Sequence, residues 1–448
     1  MSYPDQAGPE RVNYFSLEKV IIESDRLPIK FDVRNVATDI DIYEHIDKPY
    51  LTASIVFIDS EGIFTGMDFV GGEKITIEIK STRTESTSIR KVFYVTSIMN
   101  AVKINDQNEV IGLNLIEDIG YFSNLINVNK SFFGSCYKII QNIFLENLRK
   151  DVTQLGNDIQ SKFNVIVPNL NPLEAASWIK NKATDENGFP FFLYSTLVED
   201  DIKFSSLSSL LREVSMNSYM PFTYWQTAST SDNQTAQRRT ILSYTYADVE
   251  NMFELINAGT VGARYTYLDT FTGNHTNFAF DVMKDALTPY LENKIDTSGT
   301  QLLPIDEKML SFDNIPINRV QSKTITQIGS AGVFNDGTSD ETKKGSYSEE
   351  SNVVSYKKKA ISRAIHKFLT KAPMSIVVNG YDFIDGTYNT TLGNKISINF
   401  INSAVHSFSE DRIDPKRSGD YLIYATRHMF KKERYDLALS CVKIGNNR

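Results

Sequence analysis

The sequence predicts an α+β protein that is mostly antiparallel β, with two similar β-barrel domains and two smaller α+β domains. Three observations indicate this fold class. Short runs such as Ile75–Ile79 alternate apolar and polar residues, which is typical of strands with one buried face. The 27 Phe and 22 Tyr suit pleated sheets, on which aromatic rings pack well. An ordered set of turns and strands near the N-terminus returns near the C-terminus.

Length and composition limit the possible classes of function. A chain of 448 residues predicts about three domains. Its two cysteines, Cys136 and Cys441, are far apart, so we expect no disulfide framework and folding in a reducing compartment. A net charge of -8 argues against a protein that grips nucleic acid. We expect no secretory signal and no membrane insertion, because the N-terminus lacks a basic and an apolar region and no apolar run reaches membrane-spanning length.

Residues 1–116 are predicted to form the first barrel domain. The turn at Gly71-Gly72 precedes an alternating strand, and a polar turn at Asn105–Asn108 joins the last two strands into a hairpin. The strand-like runs are Val20–Ile22, Ile29–Val33, Ile40–Ile42, Leu51–Ile58, Ile75–Ile79, Val92–Met99 and Val110–Ile116.

Residues 117–212 are predicted to form a compact α+β domain. Apolar residues at helical spacing predict an amphipathic helix over Ser131–Arg149. A second helix begins after Asn171, an N-cap residue followed by Pro172 and by Glu174 three positions on. A hairpin follows, in which the acidic turn Glu199–Asp201 joins two apolar runs, Phe189–Leu197 and Ile202–Phe204.

Residues 213–448 contain further short strands and two helices. The predicted elements are strand-like ends at 222–225 and 241–246 around a polar loop at 227–236, a short helix over 248–257, strands at 263–268 and 277–280, and an amphipathic helix over 356–368. The stretch 329–350, rich in Gly, Ser, Thr, Asp and Lys, is predicted to be a flexible linker.

The last seventy residues repeat the order seen in residues 51–116. A glycine-bearing turn at Leu392–Lys395 leads into the alternating run Ile396–Phe400. The aromatic-rich run Tyr421–Thr426 then turns at Lys431–Arg434 into a final strand, Tyr435–Val442. If this repeat is real, each chain offers two equivalent units to a ring, and three chains offer six.

Motifs of enzymes and metal sites are missing from the sequence. The five histidines (His45, His275, His366, His406 and His428) share no ligand-like spacing. The acids of Glu199–Asp201 suit a solvated turn better than a cation site, Gly71-Gly72 suits a turn better than a phosphate cradle, and Lys357–Lys359 suit a wet helix face better than an anion site. We therefore predict no catalytic, cofactor-binding or metal residues, and a protein that is not an enzyme.

Several weak matches in a fixed order resemble a known family, the central baseplate hub of contractile-tailed, T-even-like bacteriophages, which is related to the hub part of type VI secretion spike proteins. The matching segments are Ile55–Gly62, Gly71–Ile77, Asp118–Asn124, Asn171–Trp178, Thr391–Ile398 and Tyr421–His428.

The resemblance implies a homotrimer in which two β-barrel tube domains per chain form a pseudo-sixfold ring between tail tube and central spike. It also implies that the second tube barrel is discontinuous, over residues 213–249 and 351–448, and that residues 250–350 form an inserted domain with the flexible loop 329–350. The expected partners are the spike, the tail tube or its initiator protein, and neighbouring baseplate proteins, with phage DNA only passing through the bore. The expected location is the virion tail baseplate, assembled in the host cytoplasm. The alternatives are the hub of a type VI or extracellular contractile injection system, a baseplate-associated cell-wall hydrolase, and a carbohydrate-binding module.

Overall fold

The structure is a computed structural model, and thirteen of its strands form one continuous sheet. It describes residues 15–67, 69–81, 88–156, 163–185, 188–217, 219–224, 239–246, 252–269, 275–287, 311–312, 315–316, 323–329, 331–334, 345–348, 353–369, 374–384, 391–401, 413–414, 417–431 and 434–445. The sheet is almost entirely antiparallel, with few helices around it, which confirms the predicted fold class.

The first sheet unit contains the strands of residues 15–117. They are β1 (Phe15–Ser24), β2 (Leu27–Asp32), β3 (Ala37–His45), β4 (Thr52–Asp59), β5 (Lys74–Ser81), β6 (Ile89–Lys103) and β7 (Glu109–Glu117), with the short helix α1 (Ile63–Met67) after β4. Their spatial order is β3-β4-β7-β6-β5-β1-β2, and every neighbouring pair is antiparallel.

An α+β region follows the first unit. Its strands are β8 (Ser131–Gly134), β9 (Val152–Leu155), β10 (Phe163–Ile166), β11 (Phe191–Tyr194) and β12 (Ile202–Ser206), and its helices are α2 (Asp118–Ser123), α3 (Cys136–Leu148), α4 (Pro172–Lys180) and α5 (Leu207–Arg212). The predicted cap of α4 is confirmed, since the Asn171 side chain accepts a hydrogen bond from the amide of Glu174.

The predicted start of α3 at Ser131 is wrong. Residues Ser131–Gly134 form strand β8, which pairs with β10, and the helix begins only after Ser135. The Ser135 hydroxyl accepts a hydrogen bond from the Lys138 amide and so caps the helix. The apolar residues at helical spacing begin at Cys136, and the buried Phe132 before them belongs to β8.

The second sheet unit combines strands from two separate stretches. They are β13 (Phe222–Tyr224), β14 (Ser243–Tyr246), β22 (Met374–Asn379), β23 (Lys395–Phe400), β24 (Gly419–Lys431) and β25 (Arg434–Gly445). Their order is β14-β22-β25-β24-β23-β13. Between β14 and β22 lie α6 (Met252–Asn257), β15 (Gly262–Asp269), β16 (His275–Asp281), β17 (Ser311–Phe312), β18 (Ile315–Pro316), β19 (Thr324–Gly329), β20 (Ala331–Phe334), β21 (Gly345–Ser348) and α7 (Val353–Leu369).

The linker prediction for 329–350 is wrong at two places. Strands β20 and β21 pair antiparallel there, and Val333 and Tyr347 supply the strand-forming residues that the polar composition concealed. Residues 335–344 and the polar loop at 227–236 lie outside the described residues. In the part of the chain that is described, no helix is both long and apolar enough to cross a membrane.

The two units repeat one topology. The order β3-β4-β7-β6-β5 of the first unit matches β14-β22-β25-β24-β23 of the second, with antiparallel pairing throughout. The match extends to single hydrogen bonds, because the Gly72 amide donates to the Val95 carbonyl at 2.8 Å and the Gly393 amide donates to the Ile423 carbonyl at 3.0 Å. Each long strand also bulges directly after these carbonyls, at Thr96 in β6 and at Tyr424 in β24.

This agreement confirms the internal repeat that the sequence predicted. The units differ at one flank, where β1 pairs antiparallel with β5 but β13 pairs parallel with β23. The domain boundaries drawn from the sequence remain predictions.

Candidate functional site

The two sheet units are joined through strand β24. The first residues of β24, Gly419–Leu422, pair with β23 of the second unit. Its last residues, Ala425–Lys431, pair with β3 of the first unit, from Ala425 opposite His45 to Lys431 opposite Asp39. One strand therefore adds itself to the edge of the neighbouring unit, and we call this contact the intrachain joint.

Aromatic packing seals the joint. Phe430 and Tyr435 belong to the second unit but lie buried in the apolar core of the first. The ring of Phe15 meets Phe430 at 5.2 Å and Tyr435 at 6.1 Å between centroids, both edge-on. Phe430 and Tyr435 stack on each other at 4.4 Å. The hairpin of β24 and β25 is thus anchored inside the first unit.

A buried polar cluster lies beside these rings and includes groups from both units. Nε2 of His428 lies 3.3 Å from Oε1 of Glu44, and both side chains are fully buried. The hydroxyls of Thr391 and Thr426 donate to Oε2 of Glu44, and the Leu197 amide donates to its Oε1 at 2.6 Å. Glu44, which belongs to β3 of the first unit, is therefore contacted from three sides. These contacts come from β24, from the loop before β23 and from the α+β region.

The surroundings of Glu44 favour its charged form. Burial alone would raise the pKa of Glu44, but the adjacent His428 and the hydroxyl donors outweigh burial and leave that pKa lowered from its ordinary value. Burial, and then the charge of Glu44, raise the pKa of Tyr435, whose hydroxyl lies 2.8 Å from Nδ1 of His428. The cluster is a buried hydrogen-bonded network in the middle of the joint.

The cluster was missed in the sequence because it carries no motif. A signal was nevertheless present, because both residues occupy inward positions of alternating strands. Glu44 follows the inward Ile40 and Ile42 in β3, and His428 precedes the inward Phe430 in β24. A polar residue at an inward position needs a buried partner.

Two strand edges, the second half of β6 and β14, have a paired strand on one side only among the described strands. After the bulge at Thr96, the second half of β6 pairs with β7 alone among the described strands, whereas the matching half of β24 lies between β25 and β3. Strand β14, at the position of β3, pairs with β22 and ends the described sheet on that side. The β6 half exposes three large apolar side chains, Ile98, Met99 and Val102, and Ile104 directly after the strand is exposed as well.

The residues considered as sites in the sequence fall in separate places. Glu199 and Asp201 both pair with Lys203, and Asp200 pairs with the buried Lys91 at 3.0 Å. Among the described residues, no three His, Cys, Asp or Glu side chains are grouped closely enough to hold a metal ion. Cys136 and Cys441 are buried free thiols in different parts of the fold, and burial raises the pKa of Cys441.

Gly71-Gly72 form the turn that leads into β5, as predicted, and both have positive φ.

Lys357 pairs with Asp285 at 2.7 Å. Lys359 lies instead beside a pocket of about 380 Å³ between α4 and α7, with Trp178, Lys180, Lys182, Arg363, His366 and Lys367 among its other lining residues. Burial opposes the charge of Asp47, but bonds from His366 and Lys180 outweigh burial and leave the pKa of Asp47 lowered.

Comparison with solved structures found a similar fold in a protein described as a tail protein. The tail protein from Neisseria meningitidis MC58 aligns over 96% of this chain and 96% of its own, with a TM-score of 0.52 and 10% identity. In fold, this chain is similar to that tail protein. This likeness concerns the fold and agrees with the fold that the resemblance implies.

Two further neighbours align less closely. The 43 kDa tail protein of prophage MuSo2 from Shewanella oneidensis covers 95% of this chain and 98% of its own, with a TM-score of 0.47 and 8% identity. The E. coli c3393 protein is described as a component of the type VI secretion system with similarity to T4 bacteriophage tail proteins gp27 and gp5. It covers 96% of this chain and 77% of its own, with a TM-score of 0.36 and 8% identity. No family model and no curated protein matches the sequence.

Proposed function

We propose that this chain is the structural hub of a phage tail baseplate. Three copies form a pseudo-sixfold ring that connects a sixfold tail tube to a threefold central spike. The observation that carries the proposal is the duplicated sheet unit together with the intrachain joint, because a repeat whose copies pair edge to edge can be continued into a ring. The fold likeness to a tail protein over nearly the whole chain supports the same role.

Ring formation also answers a physical problem posed by the single chain. An exposed strand edge with apolar side chains invites uncontrolled pairing with other chains, and here β6 has such an edge at Ile98–Lys103. A closed ring leaves no such edge, which is a reason for the protein to act in an assembly. The chain then works by geometry, and its role requires no catalytic group.

The bore of the ring passes DNA after the spike leaves. With a net charge of -8, the chain has little tendency to hold phosphate, so DNA slides instead of binding. The partners in the virion are the spike at one rim, the tail tube or its initiator at the other, and neighbouring baseplate proteins around the outside. Assembly takes place in the host cytoplasm.

The nearest alternative is the hub of a type VI or extracellular contractile injection system, whose cargo is protein. The ring would be the same in both cases, so the cargo and the neighbouring genes distinguish them. A cell-wall hydrolase is the alternative from another class, and clearing of a peptidoglycan gel that is lost on a single carboxylate substitution would establish it.

The proposal is tested by the mass of the protein in solution, alone and with the spike chain encoded beside it. We expect particles of three hub chains, to which one threefold spike binds. A protein that stays monomeric at micromolar concentration in the presence of the spike would overturn the hub assignment.

A further inference from the structure

We propose that the second half of β6 in one copy pairs antiparallel with β14 of the next copy, forming an interchain joint that repeats the intrachain joint. This inference rests on the proposed ring and names the strands and the register that close it.

In each joint we call the strand that is added the donor strand and the edge strand that receives it the acceptor strand. The donor strands of the two joints, β24 and the second half of β6, are equivalent. Across their own hairpins, Phe430 of β24 faces Tyr435 and Lys103 of β6 faces Glu109. Counted from the shared bulges, Tyr435 and Glu109 occupy the same position in β25 and β7. Because β6 has a second bulge at Met99 that β24 lacks, the positions are matched through β7 and β25. On this match Lys103 takes the position of Phe430, Val102 that of Met429, and Ala101 that of His428.

The acceptor strands correspond in the same way. Ile40 of β3 faces Ile55 of β4, and Tyr244 of β14 faces Ile376 of β22. Ile55 and Ile376 occupy the same position, because they face Leu113 of β7 and Leu439 of β25 respectively. Tyr244 therefore takes the position of Ile40, and Tyr246 takes that of Ile42.

The register of the interchain joint follows. In the intrachain joint, Phe430 faces Ile40 and His428 faces Ile42. The same register places Lys103 of one copy opposite Tyr244 of the next, and Ala101 opposite Tyr246. Val102 then faces Thr245, and Ile104 faces Ser243.

Side-chain size supports this pairing. In the intrachain joint the large rings are on the donor strand, as Phe430 and His428, and meet isoleucines on the acceptor. In the interchain joint the large rings are on the acceptor strand, as Tyr244 and Tyr246, and meet Ala101 and the flexible Lys103. A small residue opposite a tyrosine lets the backbones approach to strand distance.

The pairing must occur between copies. In the described sheet, six strands lie between β14 and β6, and the two edges do not meet within one chain. Each copy therefore presents one donor edge, along the second half of β6, and one acceptor edge, along β14. Such a head-to-tail contact generates a ring when its rotation closes.

Cross-linking tests the register directly. In the double variant Ala101→Cys with Tyr246→Cys, oxidation should join neighbouring copies into covalent species of two and three chains on a non-reducing gel. The matched control, Ala101→Cys with Ile166→Cys, should stay a single chain on the gel. The native Cys136 and Cys441 are buried and should not contribute.

A charge on the donor edge gives a second readout that does not depend on disulfide geometry. Val102 and Ile166 are both strand residues and both 56% exposed. Val102→Asp should weaken self-association at least tenfold while the circular dichroism spectrum stays unchanged, and Ile166→Asp should leave the ring intact.

The outcomes separate this inference from the ring proposal. A trimer that persists in Val102→Asp and gives no 101–246 cross-link would overturn the interchain joint and leave the ring standing on another contact. A wild-type protein that never assembles would overturn both.

Discussion

His428 of the second sheet unit and Glu44 of the first lie 3.3 Å apart, with no exposed surface on either side chain. A buried, hydrogen-bonded pair of this kind stabilises a fold only while its hydrogen bonds are kept. Here the pair lies at the point where one unit adds a strand to the other, so the electrostatics of Glu44 should govern how firmly the two units stay joined.

The first prediction concerns acid. The pKa of Glu44 is lowered in the folded protein, so its contribution to stability is fully present above its ordinary pKa of 4.5 and is lost as the pH falls through the lowered value. Denaturant unfolding should give a stability that falls steeply below about pH 4. Glu44→Gln should reduce the unfolding free energy at pH 7 by about 3 kcal/mol, and its stability should fall less steeply below about pH 4. A fall in stability as steep in Glu44→Gln as in wild type would contradict this account.

The second prediction concerns the aromatic anchor of the joint. Phe430→Ala removes a buried ring from the core of the first unit and should lower the unfolding free energy by about 3–5 kcal/mol. Phe133→Ala is the control, since Phe133 is half exposed on β8, and it should cost less than about 1 kcal/mol. Equal losses in the two variants would show that Phe430 is not an anchor.

The third prediction concerns Gly393 in the glycine turn of the second unit, with Gly62, which lies in a different turn, as the control. Gly393 and Gly62 share a φ of +75°, but a Cβ on Gly393 would lie 3.0 Å from Leu210 and Tyr194, whereas nothing lies within 4 Å of one on Gly62. Gly62→Ala should cost only the backbone strain of about 1 kcal/mol. Gly393→Ala should cost about 2–3 kcal/mol, because crowding adds to that strain. Thermal unfolding of the two variants measures the difference, and equal shifts would argue against crowding at Gly393.

The fourth prediction concerns nucleic acid. Because the chain carries a net charge of -8, double-stranded DNA should not be retarded by the assembled protein in a gel at about 50 mM salt. Binding in the micromolar range that weakens steeply with added salt would indicate a basic bore and contradict free passage.

The sequence predicted most of the strands and the repeat, because alternation and glycine turns are local signals. It could not predict the intrachain joint, since the pairing of Phe430 with Ile40 links residues almost four hundred positions apart and depends on two hairpin geometries. The start of α3 was misplaced because the helical spacing begins at Cys136 and does not show where the preceding strand β8 ends. The polar cluster escaped notice because Glu44 and Thr391 become neighbours only when three parts of the chain meet.

The central claim is that each chain contributes two similar sheet units, so that three chains build a ring of six units. Electron microscopy of the purified protein tests this claim most directly. Reconstructed end-on views should show a closed ring of three chains, in which six similar sheet units surround the bore. A twofold dimer, or an open filament in which the two units of each chain occupy unlike environments, would contradict it.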